Sequence, residues 1–218
     1  MELIGFIGFG IVVSYLLGSI PTAVWYGKTF HNIDVRNYGS GNAGATNTFR
    51  VLGKKAGTIV MTVDILKGWI ATCGVYVYEH YKVIPTEDAI PYQIAFGIAA
   101  VIGHIFPVYE RFKGGKGVAT LLGTVLAIHI QAALLCVLVF LIVFIISKYV
   151  SLGSLIAALS FPIILLLPRF YPHEPLLIVF GFVIFFVVVI THQKNIVRLL
   201  HGEENKTRIR LRKKELPR

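Results

Sequence analysis

Long apolar runs alternate along the chain with short breaks that are polar or rich in glycine and proline. Leu121–Ile146 contains no Asp, Glu, Lys or Arg, and neither does Leu176–Ile190. Uncharged apolar runs of about 18 residues or more are typical of transmembrane helices. The pattern predicts an all-α polytopic membrane protein with seven transmembrane helices at 3–27, 56–79, 91–110, 117–130, 131–147, 151–168 and 174–193.

The division of segment 117–147 decides the number of spans. We divide it near the polar stretch His129–Gln131, because a single helix there, with the later spans unchanged, would put the basic C-terminal tail on the opposite side from the other basic loops. A five-span alternative keeps 117–147 as one helix and treats 151–193 as one broken unit. It satisfies the charge distribution equally well.

The composition supports this class and excludes an ordinary soluble domain. The chain is 56% hydrophobic with a mean hydropathy of +0.73, and 15% of its residues are charged. A soluble domain has about 25% charged residues. We therefore interpret residues 1–218 as a single transmembrane domain.

The net charge of +10 is distributed unevenly along the chain. Most Lys and Arg residues fall in 28–55, 111–116, 148–150 and the tail from Lys194. By the positive-inside rule the N-terminus lies outside, the C-terminus is cytosolic, and 206–218 forms a basic cytosolic tail attracted to anionic lipids. The placement indicates membrane lipids as partners and no nucleic acid. The acidic residues predicted on the outer side are Glu79, Glu87, Asp88 and Glu174.

The first polar segment runs from Gly39 to Asn47 and is followed by Arg50. It matches the dinucleotide-binding pattern G-x-G-x-x-G formally, but that pattern requires a preceding strand, and here a membrane span precedes it. Glycines still let backbone N–H groups approach an anion, and Arg50 supplies a planar cation suited to phosphate. The alternative is a flexible linker. The candidate phosphate-binding residues of this segment are Gly39, Ser40, Gly41, Asn42, Gly44, Thr46, Asn47 and Arg50.

The second polar segment is Lys113-Gly-Gly-Lys-Gly117, directly before a span. It lacks the spacing of a P-loop but has the same components, an exposed backbone and a lysine at a helix start. We expect Lys116 and the backbone N–H groups of Gly114, Gly115 and Gly117 to bind an anion. A tight basic turn without a binding role is the alternative.

The third polar segment begins with His192. His192, Asn195 and Arg198 are spaced i, i+3, i+6, so they share one face of a helix at the inner membrane surface. A lone interfacial histidine is the alternative reading. Asp64 and Lys67, one helical turn apart in the second span, are predicted to form a mutually neutralising pair. Ser154 and Ser151 offer two further donors at the start of the sixth span.

The three polar segments lack the residue patterns of metal sites, which limits the reactions they could catalyse. No cluster of Cys, His and carboxylates has metal-site spacing, and paired aspartates for magnesium are missing, so the sequence predicts no metal and no cofactor. A site of this kind works by positioning and charge stabilisation. A secondary transporter for a phosphorylated metabolite is the competing class. Clustering of the donors at one membrane face favours an enzyme.

The three segments together resemble a known family. Gly-Ser-Gly-Asn-Ala-Gly-Ala-Thr-Asn-x-x-Arg, Lys-Gly-Gly-Lys-Gly-Val-Ala-Thr and His-x-x-Asn-Ile-x-Arg-Leu-Leu-x-Gly-x-Glu are similar to motifs of the bacterial acyl-phosphate-dependent glycerol-3-phosphate acyltransferases, the PlsY family. Asp-x-x-Lys-Gly and Ser-Leu-Gly-Ser fit as well. The resemblance runs in order from about Gly18 to Lys206.

The resemblance implies a reaction at the cytoplasmic face of the bacterial plasma membrane. Acyl phosphate and glycerol 3-phosphate would give 1-acylglycerol 3-phosphate (lysophosphatidate) and phosphate, the first step of phospholipid synthesis. Ser40, Arg50 and Lys116 would bind phosphate, His192 and Asn195 would orient glycerol 3-phosphate, and a substrate phosphate would take the proton. Ser154 would assist, and Glu203 would be a structural or orienting residue. Oligomeric state and acyl-chain preference stay open.

Overall fold

The computed structural model describes residues 2–86 and 89–207 of the chain. These residues form α-helices and short 3₁₀ turns without a β-strand, as the sequence predicts. The basic tail from residue 208 and the acidic residues Glu87 and Asp88 lie outside the described residues. The helices are α1 (Glu2–Gly18), α2 (Thr22–His31), α3 (Ala45–Val51), α4 (Lys54–Cys73), α5 (Val75–His80), α6 (Ala89–Ile105), α7 (Val118–Ile128), α8 (Ile130–Ser147), α9 (Val150–Leu165), α10 (Leu176–Thr191) and α11 (Gln193–Leu200).

Within the described residues, the helical segments long and apolar enough to cross a membrane are four: Leu3–His31, Lys54–His80, Ala89–Glu110 and Ile130–Ser147. A fifth results if α10 and α11, bent by 68° at their junction, count as one span. The apolar helices α7 and α9 are shorter. Because a helix rises about 1.5 Å per residue, α7 is well short of the roughly 30 Å hydrocarbon core. The apolar segments thus lie where the sequence predicts them, while seven crossings and the orientation of the termini stay predictions.

Two of the breaks between helices bear on the predicted spans. The predicted first span is interrupted between α1 and α2, directly before and at Pro21, because proline lacks the N–H that a continuous helix needs. Segment 117–147 is divided at His129, which has non-helical backbone angles and whose Nδ1 accepts from the N–H of Ala132 at 3.3 Å. This second break falls where the sequence indicates it.

The predicted pair in the second span is confirmed. Lys67 Nζ lies 2.9 Å from Asp64 Oδ1, and both side chains are buried. The ammonium group also donates to the carbonyl of Ile20 at 3.0 Å, and the hydroxyl of Thr22 donates to Asp64 at 3.1 Å. The buried charges therefore compensate each other and hold the break between α1 and α2 against α4.

Close packing of α4 against α7 places the polar segments at the same end of the molecule. A Cβ atom on Gly68 would lie 2.1 Å from the carbonyl oxygen of Thr120, and one on Gly123 would lie 2.0 Å from that of Ile65. Only glycine permits such close approach of two helices. The first polar segment leads through α3 into α4, and the second leads into α7. The contact between α4 and α7 therefore brings the two segments together.

Candidate active site

The three polar segments converge on one cavity of ≈ 770 Å³. Its polar end is lined by side chains from α3, the start of α7 and α11, together with the loops beside them. Its other end is lined by apolar side chains of α7, α8, α9 and α10. The predicted site residues that line it are Ser40, Gly41, Asn42, Gly44, Thr46, Asn47, Arg50, Lys116, Gly117, Ser154, His192 and Asn195.

Asn47 fixes the backbone conformation of the first segment through hydrogen bonds of its side chain. Its side chain is 1% exposed, and its amide nitrogen donates to the carbonyls of Val35 at 2.8 Å and Tyr38 at 3.0 Å. Its Oδ1 accepts from the N–H of Ser40 at 2.8 Å. Gly39, at φ +63°, leaves room for this contact because a Cβ there would lie 2.3 Å from Asn47 Oδ1. Asn47 thus presents Ser40 to the cavity, and its own amide hydrogens are already used.

Two glycines of the second segment serve packing. The N–H groups of Gly114 and Gly115 donate to the carbonyls of Ile105 and His104, each at 3.1 Å. A Cβ on Gly114 would lie 2.0 Å from the His104 carbonyl oxygen, and one on Gly115 would lie 2.2 Å from His104 Nε2. Neither glycine lines the cavity, so the structure does not place their N–H groups where we expected an anion to bind. They let the loop fold back on the end of α6.

Lys116 and the start of α7 face the cavity directly. Gly117 caps α7 with a left-handed backbone at φ +80°, which turns the chain into the helix. Val118 and Ala119, the first residues of α7, line the cavity, so the partially positive end of the helix faces it. Lys116 Nζ donates to Asn195 Oδ1, which joins the second segment to the third.

A buried carboxylate organises the third segment. Glu204 Oε1 accepts from Ser151 Oγ at 2.9 Å and from Asn195 Nδ2 at 2.7 Å, while Oε2 accepts from Arg198 Nε at 2.8 Å. With both amide groups engaged, Asn195 is held so that its oxygen faces Lys116. Burial acts to raise the pKa of Glu204, but the hydrogen bonds from Arg198, Asn195 and Ser151 hold that pKa below its ordinary value.

The glutamate that lines the cavity is Glu204, one position after Glu203, the site residue predicted from the sequence. The structure places Glu203 at the exposed surface and outside the cavity lining, whereas Glu204 is buried and lines the cavity. In the Gly-x-Glu spacing of the motif the glycine is Gly202, so the glutamate is Glu204. The signal was therefore present in the sequence.

His192 lies at the junction of α10 and α11, is 3% exposed and lines the cavity. Its Nδ1 is 2.8 Å from the carbonyl oxygen of Val188. Because a carbonyl only accepts, Nδ1 carries the proton, and Nε2 of the neutral ring is free to accept a hydrogen bond. Ser154 also lines the cavity, but its hydroxyl donates to the carbonyl of Val150 within α9 at 3.0 Å.

The charge of Lys116 depends on its surroundings. Burial, together with the smaller effects of the charges of Arg198 and Arg50, lowers the pKa of Lys116 to about 8, against the opposing effect of Glu204. A bound anion would stabilise the protonated form, so anion binding and protonation of Lys116 are coupled.

The apolar end of the cavity extends between the bundle helices. It begins beside Ser154 and reaches Phe161, seven residues further along α9, a distance of about 10 Å at 1.5 Å per residue. Such a space suits a hydrocarbon chain. Its apolar lining includes Leu122, Val125, Val137, Phe140, Ala157, Phe161 and Ile184.

Fold and site together define a helical membrane protein whose cavity joins a cationic polar end to a hydrocarbon-lined end. Comparison with known proteins gives the family. The family model for glycerol-3-phosphate acyltransferase matches residues 8–202. The chain belongs to the glycerol-3-phosphate acyltransferase family.

Relatives and solved structures agree with this assignment. A glycerol-3-phosphate acyltransferase of Chlorobaculum tepidum is 41% identical over 90% of this chain and 94% of its own. One of Salinibacter ruber is 40% identical over 89% of this chain and 90% of its own. The crystal structure of PlsY (YgiH), an integral membrane glycerol 3-phosphate acyltransferase, in its glycerol 3-phosphate form has a TM-score of 0.79 at 38% identity, covering 92% of this chain and 95% of that chain. Its lysophosphatidic acid form has a TM-score of 0.76 at 36% identity, with 92% and 94% covered.

Proposed function

We propose that this protein transfers an acyl group from acyl phosphate to the 1-hydroxyl of glycerol 3-phosphate at the cytoplasmic face of the bacterial plasma membrane. The products are lysophosphatidate and inorganic phosphate. One observation carries the proposal: a single cavity joins Ser40, Arg50 and Lys116 at one end to an apolar lining at the other. An acyl phosphate has a phosphate at one end and a hydrocarbon chain at the other, and it fits this polarity.

In the proposed reaction the glycerol oxygen attacks the acyl carbon, and the bond from that carbon to the phosphate oxygen breaks. The bonding electron pair leaves with the phosphate, which also takes the proton of the hydroxyl. Lys116, Arg50 and the N-terminal end of α7 stabilise the charge on the phosphate groups. His192 Nε2 accepts a hydrogen bond from the other hydroxyl of glycerol 3-phosphate and so orients the substrate, since its Nδ1 is held by Val188.

Asn195, Asn47 and Glu204 act on the substrates through their neighbours. Asn195 holds Lys116, Asn47 presents Ser40, and Glu204 fixes Asn195. Acyl phosphate is already activated, so the attack needs positioning and charge stabilisation more than a strong base. The remaining predicted cavity residues, Gly41, Asn42, Gly44 and Thr46, contribute the polar wall around the phosphate groups.

The donor assignment is tested by supplying purified full-length protein with labelled glycerol 3-phosphate and one of three donors: palmitoyl phosphate, palmitoyl-CoA or palmitoyl acyl carrier protein. We expect lysophosphatidate with palmitoyl phosphate alone. Absence of product with every donor would contradict the acyltransferase proposal. Product from palmitoyl-CoA alone would contradict the choice of donor.

A variant of the apolar end sharpens the same experiment. Ala157→Trp adds bulk to the apolar lining of the cavity and is expected to lower kcat/KM at least tenfold for palmitoyl phosphate but less for butyryl phosphate. Leu138→Trp is the matched control, because Leu138 is 52% exposed on α8 and is not part of the lining. Equal losses for both donors in Ala157→Trp would place the acyl chain elsewhere.

The pH profile tests the role of Lys116. Its cationic form binds phosphate, and that form is lost as pH rises through about 8. We therefore expect kcat/KM for glycerol 3-phosphate to fall about tenfold per pH unit above that pKa, which reports on the free enzyme. In Lys116→Arg the fall should disappear below about pH 10, because arginine stays protonated. A fall at the same pH in both proteins would assign it to another group.

A further inference from the structure

An ion-pair network lies beside the active-site cavity and outside its lining. Arg36 donates from Nε to Asp34 Oδ1 at 3.0 Å and from one terminal nitrogen to Asp34 Oδ2 at 2.6 Å. The same nitrogen donates to Glu110 Oε2 at 2.7 Å. The side chains of Arg36, Asp34 and Glu110 are 22%, 20% and 13% exposed. Such a shielded, forked arrangement is worth more than an ordinary surface ion pair.

Arg36 joins the first polar segment to the second. It precedes Gly39 by three residues, while Glu110 precedes Lys113 by three. The other terminal nitrogen of Arg36 donates to the carbonyl of Lys113 itself, at 3.3 Å. Hydrogen bonds and charge from Arg36 also hold the pKa of Asp34 below its ordinary value, against the opposing effect of burial.

The chain between Glu110 and Lys113 adopts an unusual conformation. Arg111 and Phe112 are consecutive non-glycine residues with φ of +54° and +61°. Such left-handed residues are strained and persist where surrounding contacts over-determine them. This turn leaves the carboxylate of Glu110 and the carbonyl of Lys113 both in contact with Arg36.

We propose that Arg36 is a positioning residue for the acyl transfer, which bridges the first and second polar segments and thereby fixes Ser40 and Arg50 relative to Lys116. The inference rests on the proposed function. Its physical basis is that a phosphate held by side chains of two loops gains affinity when the loops are already in place. Without the bridge, the binding energy of the phosphate would be needed to bring the loops together.

Lys28 provides a matched control within the same network. It donates to Glu110 Oε1 at 2.9 Å, so it neutralises the same carboxylate as Arg36. Lys28 lies on α2, its side chain is 49% exposed, and the contact joins α2 to Glu110 without joining the two polar segments. Bridging and simple charge neutralisation therefore predict different results for the two cations.

The experiment compares Arg36→Met, Lys28→Met, Glu110→Gln and the double variant Arg36→Met/Glu110→Gln in the full-length protein. We expect Arg36→Met to lower kcat/KM for glycerol 3-phosphate at least tenfold, chiefly through KM, while Lys28→Met stays within twofold. The double variant should be within threefold of Arg36→Met, because both changes remove one bridge. Arg36→Lys should stay at least fivefold below the wild type, since lysine lacks the fork that reaches acceptors on three residues at once.

Calorimetric titration with glycerol 3-phosphate measures the affinity separately from acyl transfer. A wild type that binds but makes no lysophosphatidate contradicts the proposed function, while the ratio of affinities between Arg36→Met and Lys28→Met still tests the bridge. Equal effects of these two variants, or a wild-type level of activity in Arg36→Lys, would overturn the inference. Should Arg36→Met fail to fold in a thermal scan, Arg36→Lys carries the same comparison with Lys28→Met.

Discussion

Replacing Lys116 with methionine is expected to lower kcat by on the order of 1000-fold, the upper range for loss of one preorganised charge-stabilising donor. Methionine retains most of the length of the side chain and removes the charge. Lys116 is partly buried, lines the cavity between the other two polar segments and donates to Asn195. Its loss therefore removes a cation from the phosphate site and also the group that joins the second segment to the third.

The effect should fall on kcat as well as on KM. If Lys116 stabilises charge that develops on the leaving phosphate, its contribution is larger in the transition state than in the bound substrate. Steady-state kinetics with palmitoyl phosphate, varying each substrate in turn, separates the two parameters. A rise in KM with unchanged kcat would restrict Lys116 to substrate binding.

Lys113→Met is the control for Lys116→Met. Lys113 belongs to the same Lys-Gly-Gly-Lys-Gly segment, but its side chain is exposed and outside the cavity lining. Only its backbone carbonyl contacts Arg36, and substitution leaves that carbonyl in place. We expect its kcat to stay within twofold of wild type. A comparable loss in both variants would indicate a general requirement for positive charge.

Much of the fold follows from apolar patterning, but the lengths of its helices do not. Hydropathy identifies the apolar segments, and the polar stretch at His129 marks the division of 117–147. The same pattern merges α1 and α2 into one span, because the run stays apolar through the break before Pro21. The carbonyl of Ile20 receives Lys67 there, a partner 47 residues away that local patterning does not reveal.

The candidate site shows the same distinction between residue type and role. Residue types and order point to three segments, and most of the chosen residues do line one cavity. Sequence reasoning treats a glycine near a lysine as an anion donor, whereas Gly114 and Gly115 use their N–H groups on α6. The side-chain amide of Asn47 likewise donates its hydrogen bonds to backbone carbonyls close by in the sequence and not to a ligand. Roles of this kind depend on which groups meet in space.

Arg36 was missed for a related reason. It lies outside the glycine-rich stretch, and its partner Glu110 is 74 residues away in the sequence. Neither residue lines the cavity. A prediction based only on residues that touch the substrates therefore leaves out both Arg36 and Glu110.

Replacing Glu204 with glutamine is expected to lower kcat/KM by about 100-fold, the size expected for losing roughly 2.7 kcal/mol of charged hydrogen bonding. The Glu204 carboxylate receives three donors, from Ser151, Asn195 and Arg198. Glutamine supplies one acceptor oxygen and an NH₂ group, so at least one donor faces another donor. The charged Arg198 favours the amide oxygen, so the NH₂ group faces Asn195, which loses the contact that keeps its oxygen on Lys116.

Glu203→Gln is the matched control, because the two glutamates are neighbours of equal charge and only Glu204 is buried. We expect Glu203→Gln to keep kcat/KM within twofold of the wild type. Circular dichroism and a thermal scan separate a misfolded Glu204→Gln from one that is folded and slow. Since Asn195→Ala removes the same link to Lys116, the double variant Glu204→Gln/Asn195→Ala should be little worse than the more damaging single change. Additive losses in the double variant would mean that Glu204 acts on catalysis by a route that does not pass through Asn195. An equal loss in Glu203→Gln and Glu204→Gln would mean that the negative charge of this turn matters more than its hydrogen bonds.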